Sequence, residues 1–232
     1  MTFGLVLLTL NEIKGLSALF NKIPINEFDE VLAVDGGSTD GTIDFFRNKN
    51  IKIVSQSSKG RGEAFRLAYE NSNSDVLIFF SPDGNENPAD IINIKKQFVL
   101  NENIDMCIAS RMMKGAYNEE DDNVIKPRKW ANNMFNLLAN IFFNRNLFNS
   151  YITDSINGFR AIKRSSFNKL NTDATGFTIE YQMTIRAMKN KYLIVEIPTI
   201  EGHRIGGISK AKSIPTGLSF LNCLFKEIVC KL

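Results

Sequence analysis

The string SPDGN, at residues 81–85, carries a carboxylate and an amide among turn-forming residues, directly after the apolar run DVLIFF. Mg²⁺ and Mn²⁺ prefer oxygen ligands, and Mg²⁺ usually binds through one or two carboxylates together with substrate phosphates. Asp83, with the amide oxygen of Asn85, is therefore a candidate metal site. A simple turn is the alternative interpretation of the same residues.

A second string, AVDGGSTDGT, places Asp35 at the end of another apolar run, followed by two glycines, Ser38 and Asp40. A carboxylate in this position can accept hydrogen bonds from a base or a ribose, and glycines allow the backbone to approach a ligand closely. A tight turn capped by Asp35 and Ser38 explains the string equally well.

A third string, SKGRGEAF, is typical of a glycine-rich loop at the start of a helix, which can bind a phosphate. Lys59 and Arg61 are its cationic groups. The string lacks the Gly-Lys-Ser/Thr of a Walker loop, and no GxGxxG follows the first apolar run. Alone, it predicts little.

The first hundred residues alternate apolar runs with helical patterns, and they predict where the three strings lie. The runs FGLVLLTL, EVLAVD, IKIVS and DVLIFFS are continuously apolar or nearly so, which is typical of a parallel sheet covered on both faces. Ligands bind beyond the carboxyl ends of such strands. Residues 9–12, 35–38 and 81–85 follow three of the four strands, so we expect them at one edge of the sheet.

The pattern changes after Leu100. A strand (DMCIAS) leads into a long polar connection, and a helix at about 128–143 comes next. A short strand, a helix and another strand complete this part, and a last helical segment begins at Ile214. We predict one domain, with a nucleotide-sugar-binding half at 1–110, an acceptor half at 111–213 and an amphipathic tail at 214–232.

Composition excludes several classes of protein. The 232 residues carry a formal charge of +3 with interleaved acidic and basic residues, which argues against nucleic-acid binding. Three separated cysteines and one histidine favour neither a disulfide framework nor a structural zinc site, and indicate a reducing compartment. We find no signal peptide and no apolar stretch near the ~18 residues that span a bilayer. We expect a cytoplasmic protein that at most lies on a membrane surface.

Taken in order, the strings resemble family 2 glycosyltransferases, and among these the polyprenyl-phosphate sugar transferases. The matching strings are TLNE, VDGGSTDGT, KGRGEA and SPDGNENP, followed by ASR, DSINGFRAIKR, GFTIEYQM and HRIGGISK. The resemblance covers the chain except for about the last twenty residues. It implies a GT-A fold, which is an α/β fold with a Rossmann-like, mostly parallel sheet flanked by helices, joined to an acceptor-side region and here a C-terminal amphipathic helix. It also implies inverting transfer from a GDP- or UDP-sugar with a divalent metal (Mg²⁺ or Mn²⁺).

The resemblance also assigns roles to residues by position. The nucleotide-binding set is Thr9, Asn11, Glu12, Asp35, Gly37, Lys59, Gly60, Ser81, Pro82, Asp83 and Arg111. The metal ligands are Asp83 and Asn85, and the groups for phosphates or the acceptor are Arg128, Arg204 and Lys210. The catalytic set is Asp83, Asp154, Glu180, Arg128 and Arg204.

Two positions depart from the family pattern. Ser81 stands where the family has the first Asp of Asp-x-Asp, and Gly36 stands where it has the second Asp of its VDD string. The loss of a carboxylate at residue 81 removes a negative charge from the metal site and should weaken metal affinity.

The charged residues favour an acceptor that is itself an anion. A hydroxyl acceptor needs a general base, whereas a phosphate is already charged at neutral pH, and the chain offers several arginines but no histidine suited to act as base. These residues predict a phosphate acceptor, and the resemblance implies that it is a polyprenyl phosphate. The alternatives are a hydroxyl or soluble acceptor with Asp154 or Glu180 as base, a non-catalytic nucleotide-sugar-binding module and, less favoured, a nucleotidyltransferase.

The tail and two polar segments carry the last predictions. Residues Leu218, Leu221, Phe225, Ile228 and Leu232 share one face of the tail. That face predicts either packing on the core or a second subunit, which we favour slightly, or an in-plane membrane helix. Residues 112–123 and 201–212 are polar or glycine-rich, and we expect loops that order over bound substrate.

Overall fold

The computed structural model describes residues 1–144, 150–206 and 213–229, with the side chains of the last segment described from residue 215 onward. The strands are β1 Phe3–Thr9, β2 Glu30–Asp35, β3 Lys52–Ser55, β4 Val76–Phe80, β5 Met106–Ser110, β6 Arg160–Lys163 and β7 Ile194–Pro198. The helices are α1 Ile13–Leu19, α2 Thr42–Asn48, α3 Arg61–Asn71, α4 Ala89–Leu100, α5 Pro127–Phe143, α6 Arg164–Leu170, α7 Ile179–Lys189 and α8 Ser213–Val229. Two short 3₁₀ turns, Phe20–Lys22 and Ile25–Glu27, connect α1 to β2.

The seven strands form one sheet in the order β3-β2-β1-β4-β6-β5-β7. All neighbouring pairs are parallel except those made by β6, which runs antiparallel to both β4 and β5. The register pairs Thr9 with Asp35 and Leu7 with Phe80, so β1, β2 and β4 end at the same edge. The predicted mostly parallel α/β fold, with the polar strings gathered at one edge, is confirmed.

The core consists of two apolar layers, one on each face of the sheet. Along β1, Val6 and Leu8 point into the layer covered by α3, α5, α7 and α8, while Leu5 and Leu7 point into the layer beneath α1, α2 and α4. Every residue of β1 is buried. Burial of both faces explains why the strands read as continuous apolar runs rather than as alternating ones.

Helices α5, α7 and α8 pack against one another on the first of these faces. The rings of Phe135, Tyr181 and Phe220, one from each helix, lie with centroids 5.2 to 5.9 Å apart. Buried Glu227 of α8 accepts hydrogen bonds from Arg186 and Lys189 of α7, each at 2.8 Å. Aromatic packing and a buried ionic contact therefore fix α8 to α7 along its length.

The face of α8 that packs on the core is not the predicted one. Phe220, Cys223 and Leu224 are buried together with Glu227, whereas Leu218, Phe225 and Ile228 are 63%, 64% and 41% exposed. Leu221 is partly buried, and Leu232 lies outside the described residues. The pattern was misleading because the buried face contains the charged Glu227, whose burial depends on partners in α7 that the local sequence does not show.

Candidate active site

Two adjoining cavities open at the carboxyl edge of the sheet, one of about 580 Å³ and one of about 310 Å³. Arg61, Ser81, Asp83 and Arg204 line both of them. Arg61 is the first residue of α3, and Ser81 and Asp83 follow the last residue of β4. The topology brings these distant segments together. This shared wall contains two guanidinium groups and a carboxylate, which suits a diphosphate with a cation beside it.

The smaller cavity contains most of the predicted nucleotide residues. Its lining includes Thr9, Glu12, Lys59 and Gly60 in addition to the shared wall. Gly36 and Gln56 also line it, and a side chain at residue 36 would begin 3.0 Å from Gln56 Oε1. A side chain at residue 36 would therefore crowd the Gln56 amide oxygen, and the glycine that stands in place of the family aspartate avoids this contact.

Asp35 ends β2, as predicted, and its side chain bonds to the loop that follows. Its carboxylate is fully buried and accepts hydrogen bonds from Thr9 Oγ1, from Ser38 Oγ, and from the backbone N–H groups of Gly37 and Ser38, at 2.6 to 3.0 Å. Asn11, Asp35, Gly37 and Pro82 do not line either cavity. Asp35 holds the loop after β2 in shape, and its direct contact with a nucleoside stays a prediction.

The turn after β4 brings together Asp83, Asn85 and Glu86. The backbone oxygens of Asp83 and Asn85 accept hydrogen bonds from Ile205 N and Gly202 N, each at 2.9 Å, so the 201–206 segment lies across this turn. Arg204 forms a 2.9 Å ion pair with the Asp83 carboxylate. The predicted phosphate-binding Arg204 and the predicted metal ligand Asp83 are therefore in direct contact.

Burial governs the electrostatics of this turn. It raises the pKa of Asp83 above the ordinary value, against the opposing effect of Arg204. Burial, with the neighbouring Asp83 charge, raises the pKa of Glu86 to about 8. Two partly desolvated carboxyl groups side by side favour a cation between or beside them.

The residues present fit a divalent metal in one specific respect. Asn85 Oδ1 is a buried oxygen without a hydrogen-bond partner, and Asn85 lines the larger cavity with Asp83. A buried acceptor that has no partner is costly, and a metal ion would satisfy it. No group of three or more His, Cys, Asp or Glu side chains suited to a metal occurs in the described parts of the chain. A metal here would therefore depend on substrate oxygens for much of its coordination.

Arg111 and Asp154 form a buried ionic cluster at one side of the larger cavity. Arg111 donates to both oxygens of Asp154, at 2.8 and 3.1 Å, and to Glu201 at 3.1 Å. Burial acts to lower the pKa of Arg111, but Asp154 and Glu201 raise it overall. Asp154 is fully buried and does not line the cavity, so it orients Arg111 and is not placed to act as a general base.

Glu180 lies in the first turn of α7 and lines the larger cavity. It forms an ion pair with Arg61, whose guanidinium also approaches the Ser81 hydroxyl. Gly158 lies beneath this pair, and any side chain there would overlap with Arg61. Arg61 is thus held in place from two sides at the wall between the cavities.

The far end of the larger cavity is apolar. Arg128 lies at the start of α5, half exposed, and pairs with Glu119 at 3.0 Å. Beyond it the lining passes between the N-terminal halves of α5 and α8, and includes Pro127, Ala131, Asn132, Phe135, Thr216, Gly217 and Phe220. One cavity therefore joins a charged region, in which four arginines are each paired with a carboxylate, to a largely apolar groove.

The predicted site residues are thus divided by the structure. Thr9, Glu12, Lys59, Gly60, Ser81, Asp83, Asn85, Arg111, Arg128, Glu180 and Arg204 line the two cavities. Lys210 lies outside the described residues. Our site assignment omitted Arg61, Glu86 and Glu201. Arg61 belongs to the glycine-rich string and could have been included, whereas Glu201 is recognisable only from its contacts with Arg111 and Asn118.

Comparison with known proteins identifies the family of this chain. The model of glycosyl transferase family 2 matches residues 5–170. Glycosyltransferase AglJ of Haloferax volcanii is 27% identical over 82% of this chain, and this chain spans 60% of its length. The UDP-N-acetylglucosamine–dolichyl-phosphate N-acetylglucosaminyltransferase of Methanococcus voltae is 27% identical over 84% of this chain and 83% of that protein. The polyprenol monophosphomannose synthase of Mycolicibacterium smegmatis is 24% identical, over 84% and 74% of the two chains.

Solved structures show the same fold. Glucosyl-3-phosphoglycerate synthase from Mycobacterium tuberculosis, in complex with Mn²⁺, uridine diphosphate and phosphoglyceric acid, superposes with a TM-score of 0.78. The match covers 100% of this chain and 80% of that one at 19% identity. A further structure of that enzyme holds Mg²⁺ and uridine diphosphate. At this identity the likeness establishes the GT-A fold and nothing finer.

Proposed function

The chain belongs to glycosyl transferase family 2, and on that premise we propose that it moves a sugar from a GDP- or UDP-sugar to the phosphate of a polyprenyl phosphate at a membrane surface. One observation carries the acceptor class. The larger cavity joins a region with four arginines, each paired with a carboxylate, to a largely apolar groove between α5 and α8. An amphiphile with an anionic head and a hydrocarbon tail matches both ends. The two relatives above whose names mention dolichyl phosphate or polyprenol monophosphomannose support the same class.

The outer surfaces of α5 and α8 support the membrane. Trp130, Met134, Leu137 and Ile141 follow one another at helical spacing on α5 and are 46% to 58% exposed. Leu218, Phe225 and Val229 form a corresponding exposed row on α8. Because the two helices contact each other and both bury their opposite faces, these rows lie side by side. We call them the α5–α8 face.

An exposed apolar face of two adjacent helices is unusual for a protein surrounded only by water, and it is typical of an interaction surface. No helix among the described residues combines the length and apolar character needed to cross a bilayer. Contact with a bilayer in the plane of the interface is compatible with both observations. The groove between the same two helices would then open where the lipid lies.

The residues suggest a division of labour in the transfer. The donor diphosphate would lie along the wall formed by Arg61, Ser81, Asp83 and Arg204, where the guanidinium groups stabilise the charge that builds on the leaving group. A divalent metal held by Asp83 and Asn85 would supply further stabilisation of that charge. Arg111 and Arg128 also line the larger cavity, and we propose that they would bind the acceptor phosphate, although Arg111 was first predicted to bind the nucleotide.

The bond changes then balance without an added base. An oxygen of the acceptor phosphate attacks the anomeric carbon, and the bond from that carbon to the diphosphate oxygen breaks. The electron pair leaves with the nucleoside diphosphate. Since the attacking oxygen is already anionic at neutral pH, no proton has to be removed. This agrees with the pairing of the two residues considered as bases, Glu180 with Arg61 and Asp154 with Arg111.

The decisive experiment compares acceptors that share a tail. The purified protein is incubated with Mn²⁺ and a panel of UDP- and GDP-sugars, and the acceptor is a polyprenyl phosphate, the corresponding polyprenol, or a soluble sugar. We expect a glycolipid product with the phosphate and none with the polyprenol. Transfer to the soluble sugar with no transfer to the polyprenyl phosphate would show that the acceptor class is wrong.

A further inference from the structure

The structure assigns to Glu86 the place of the carboxylate missing at residue 81: we infer that Glu86 is the second acidic ligand of the divalent metal, beside Asp83. This inference rests on the metal use included in the proposed function, and it does not depend on the acceptor. Glu86 lies within the string SPDGNENP, but the resemblance assigned it no role. The reason to consider it is geometric.

The first observation is the position of the Glu86 side chain. It turns back over the end of β4, and its Oε2 accepts a hydrogen bond from the backbone N–H of Ser81 at 2.7 Å. A carboxylate is therefore present directly at residue 81, although it comes from a residue five positions later. The serine side chain itself is short and approaches Arg61.

The second observation is that Glu86 lines the larger cavity together with Asp83 and Asn85. Three oxygen-bearing side chains of one turn thus border the same space. One of those oxygens, Asn85 Oδ1, is buried and has no hydrogen-bond partner. Of the two Glu86 oxygens, Oε2 accepts the Ser81 N–H, and Oε1 accepts no hydrogen bond from the described residues.

The third observation concerns charge. Asp83 is paired with Arg204, so in the absence of a metal a guanidinium neutralises the principal predicted ligand. Two carboxylates at one turn repel each other unless a cation lies with them. A divalent ion held by Asp83, Asn85 and Glu86 would offset that repulsion and satisfy the partnerless amide oxygen. The hydrogen bond from Ser81 N–H explains the position of the Glu86 side chain, but not the Asn85 oxygen or the two neighbouring carboxylates.

The test measures how strongly Mn²⁺ tightens nucleotide binding. UDP and GDP are each titrated calorimetrically into wild type, Glu86→Gln and Glu63→Gln, with and without Mn²⁺. Glutamine keeps an oxygen for the Ser81 N–H and removes only the charge, so the fold should persist, as a melting curve would verify. Glu63 is the control because it lies in the first turn of α3, pairs with Arg66 and lines neither cavity.

We expect Glu86→Gln to reduce the tightening by Mn²⁺ by about tenfold or more, a loss usual for groups that hold or orient a metal, while metal-free nucleotide binding is unchanged. Glu63→Gln should behave as wild type. Adding Ser81→Asp to Glu86→Gln should restore much of the loss, since it returns a carboxylate to the family position. Unchanged Mn²⁺ tightening in Glu86→Gln, or no restoration by Ser81→Asp, would overturn the inference.

The experiment also separates this inference from the acceptor. Wild-type protein that binds nucleotide equally with and without Mn²⁺ would refute the metal site and Glu86 with it. A failure of transfer to polyprenyl phosphate, with Mn²⁺-dependent nucleotide binding intact, would refute the acceptor class and leave Glu86 assigned.

Discussion

Arg160, at the start of β6, is completely buried and supports the site from below. Its guanidinium donates to the backbone oxygens of Asn157, Ser155 and Glu180 and to the Thr184 hydroxyl. Burial lowers the pKa of Arg160 to about 10, so it stays charged at neutral pH. It connects the loop that carries Asp154 to the start of α7, which carries Glu180.

We predict that Arg160→Met destabilises the protein strongly. The substitution leaves several buried carbonyl oxygens without donors, and each such group costs about 1–3 kcal/mol, so a loss of about 3 kcal/mol or more is expected. Urea unfolding measures it. The exposed Arg47, paired with Asp44 three residues away, is the control, and Arg47→Met should stay within about 0.5 kcal/mol. Equal losses in the free energy of unfolding for the two variants would show that Arg160 does not have this role.

Asp83 can be tested independently of stability. We expect Asp83→Asn to lower the transfer rate by about a hundredfold or more, because the substitution removes the metal-binding carboxylate. Less positive charge then lies beside the leaving diphosphate. Its backbone contacts to the 201–206 segment do not depend on the carboxylate, so the melting temperature should change little. Asp44→Asn, on the exposed surface of α2, serves as the control. Undiminished transfer by Asp83→Asn at fixed Mn²⁺ would contradict the assignment.

At the scale of elements, the strands were predictable and the orientation of the last helix was not. Continuous apolar runs ended by polar strings predicted the parallel sheet and its functional edge, because strand ends are fixed by local chemistry. The resemblance named Arg111 and Asp154 as site residues, but it did not show that they pair with each other. Their pairing joins residues 43 positions apart, and sequence alone does not reveal it. The same holds for α8, where Glu227 is buried because Arg186 lies opposite.

The two polar segments beside the site, residues 112–123 and 201–206, are held together. Tyr117 and Ile200 form a β-bridge, and Glu201 accepts hydrogen bonds from Arg111 and Asn118. Since Arg204 in the second segment contacts Asp83, nucleotide and metal should rearrange both segments together.

We therefore predict that UDP or GDP with Mn²⁺ slows tryptic cleavage after Lys114 and after Arg204 in parallel. Cleavage after Lys49, outside both segments, provides the reference rate. Mass spectrometry of the fragments over time distinguishes the sites. Protection of one site alone would show that the segments respond separately, and identical patterns with and without ligand would argue against a closing loop.

At the scale of the whole molecule, the α5–α8 face and the cavity are parts of one arrangement. The groove that ends the larger cavity lies between the helices whose outer rows are exposed and apolar. If the α5–α8 face were bound in the plane of a bilayer, the groove would open toward the lipid. The nucleotide cavity would be reached from the carboxyl edge of the sheet. Removal of α8 is a poor test, because Phe220, Cys223 and Leu224 complete the core.

Point substitutions on the α5–α8 face test the arrangement directly. We expect wild-type protein to float with anionic liposomes, and Leu137→Glu combined with Phe225→Glu to remain in the dense fraction, because two charges in an apolar contact surface oppose its burial in lipid. Both side chains are about half exposed or more, so folding should survive. Leu100→Glu is the matched control, since Leu100 is 81% exposed at the end of α4 and should not affect flotation. If the wild type stays in the dense fraction and light scattering shows a dimer that the double substitution dissociates, a second copy of the chain covers the face, and the membrane proposal is wrong.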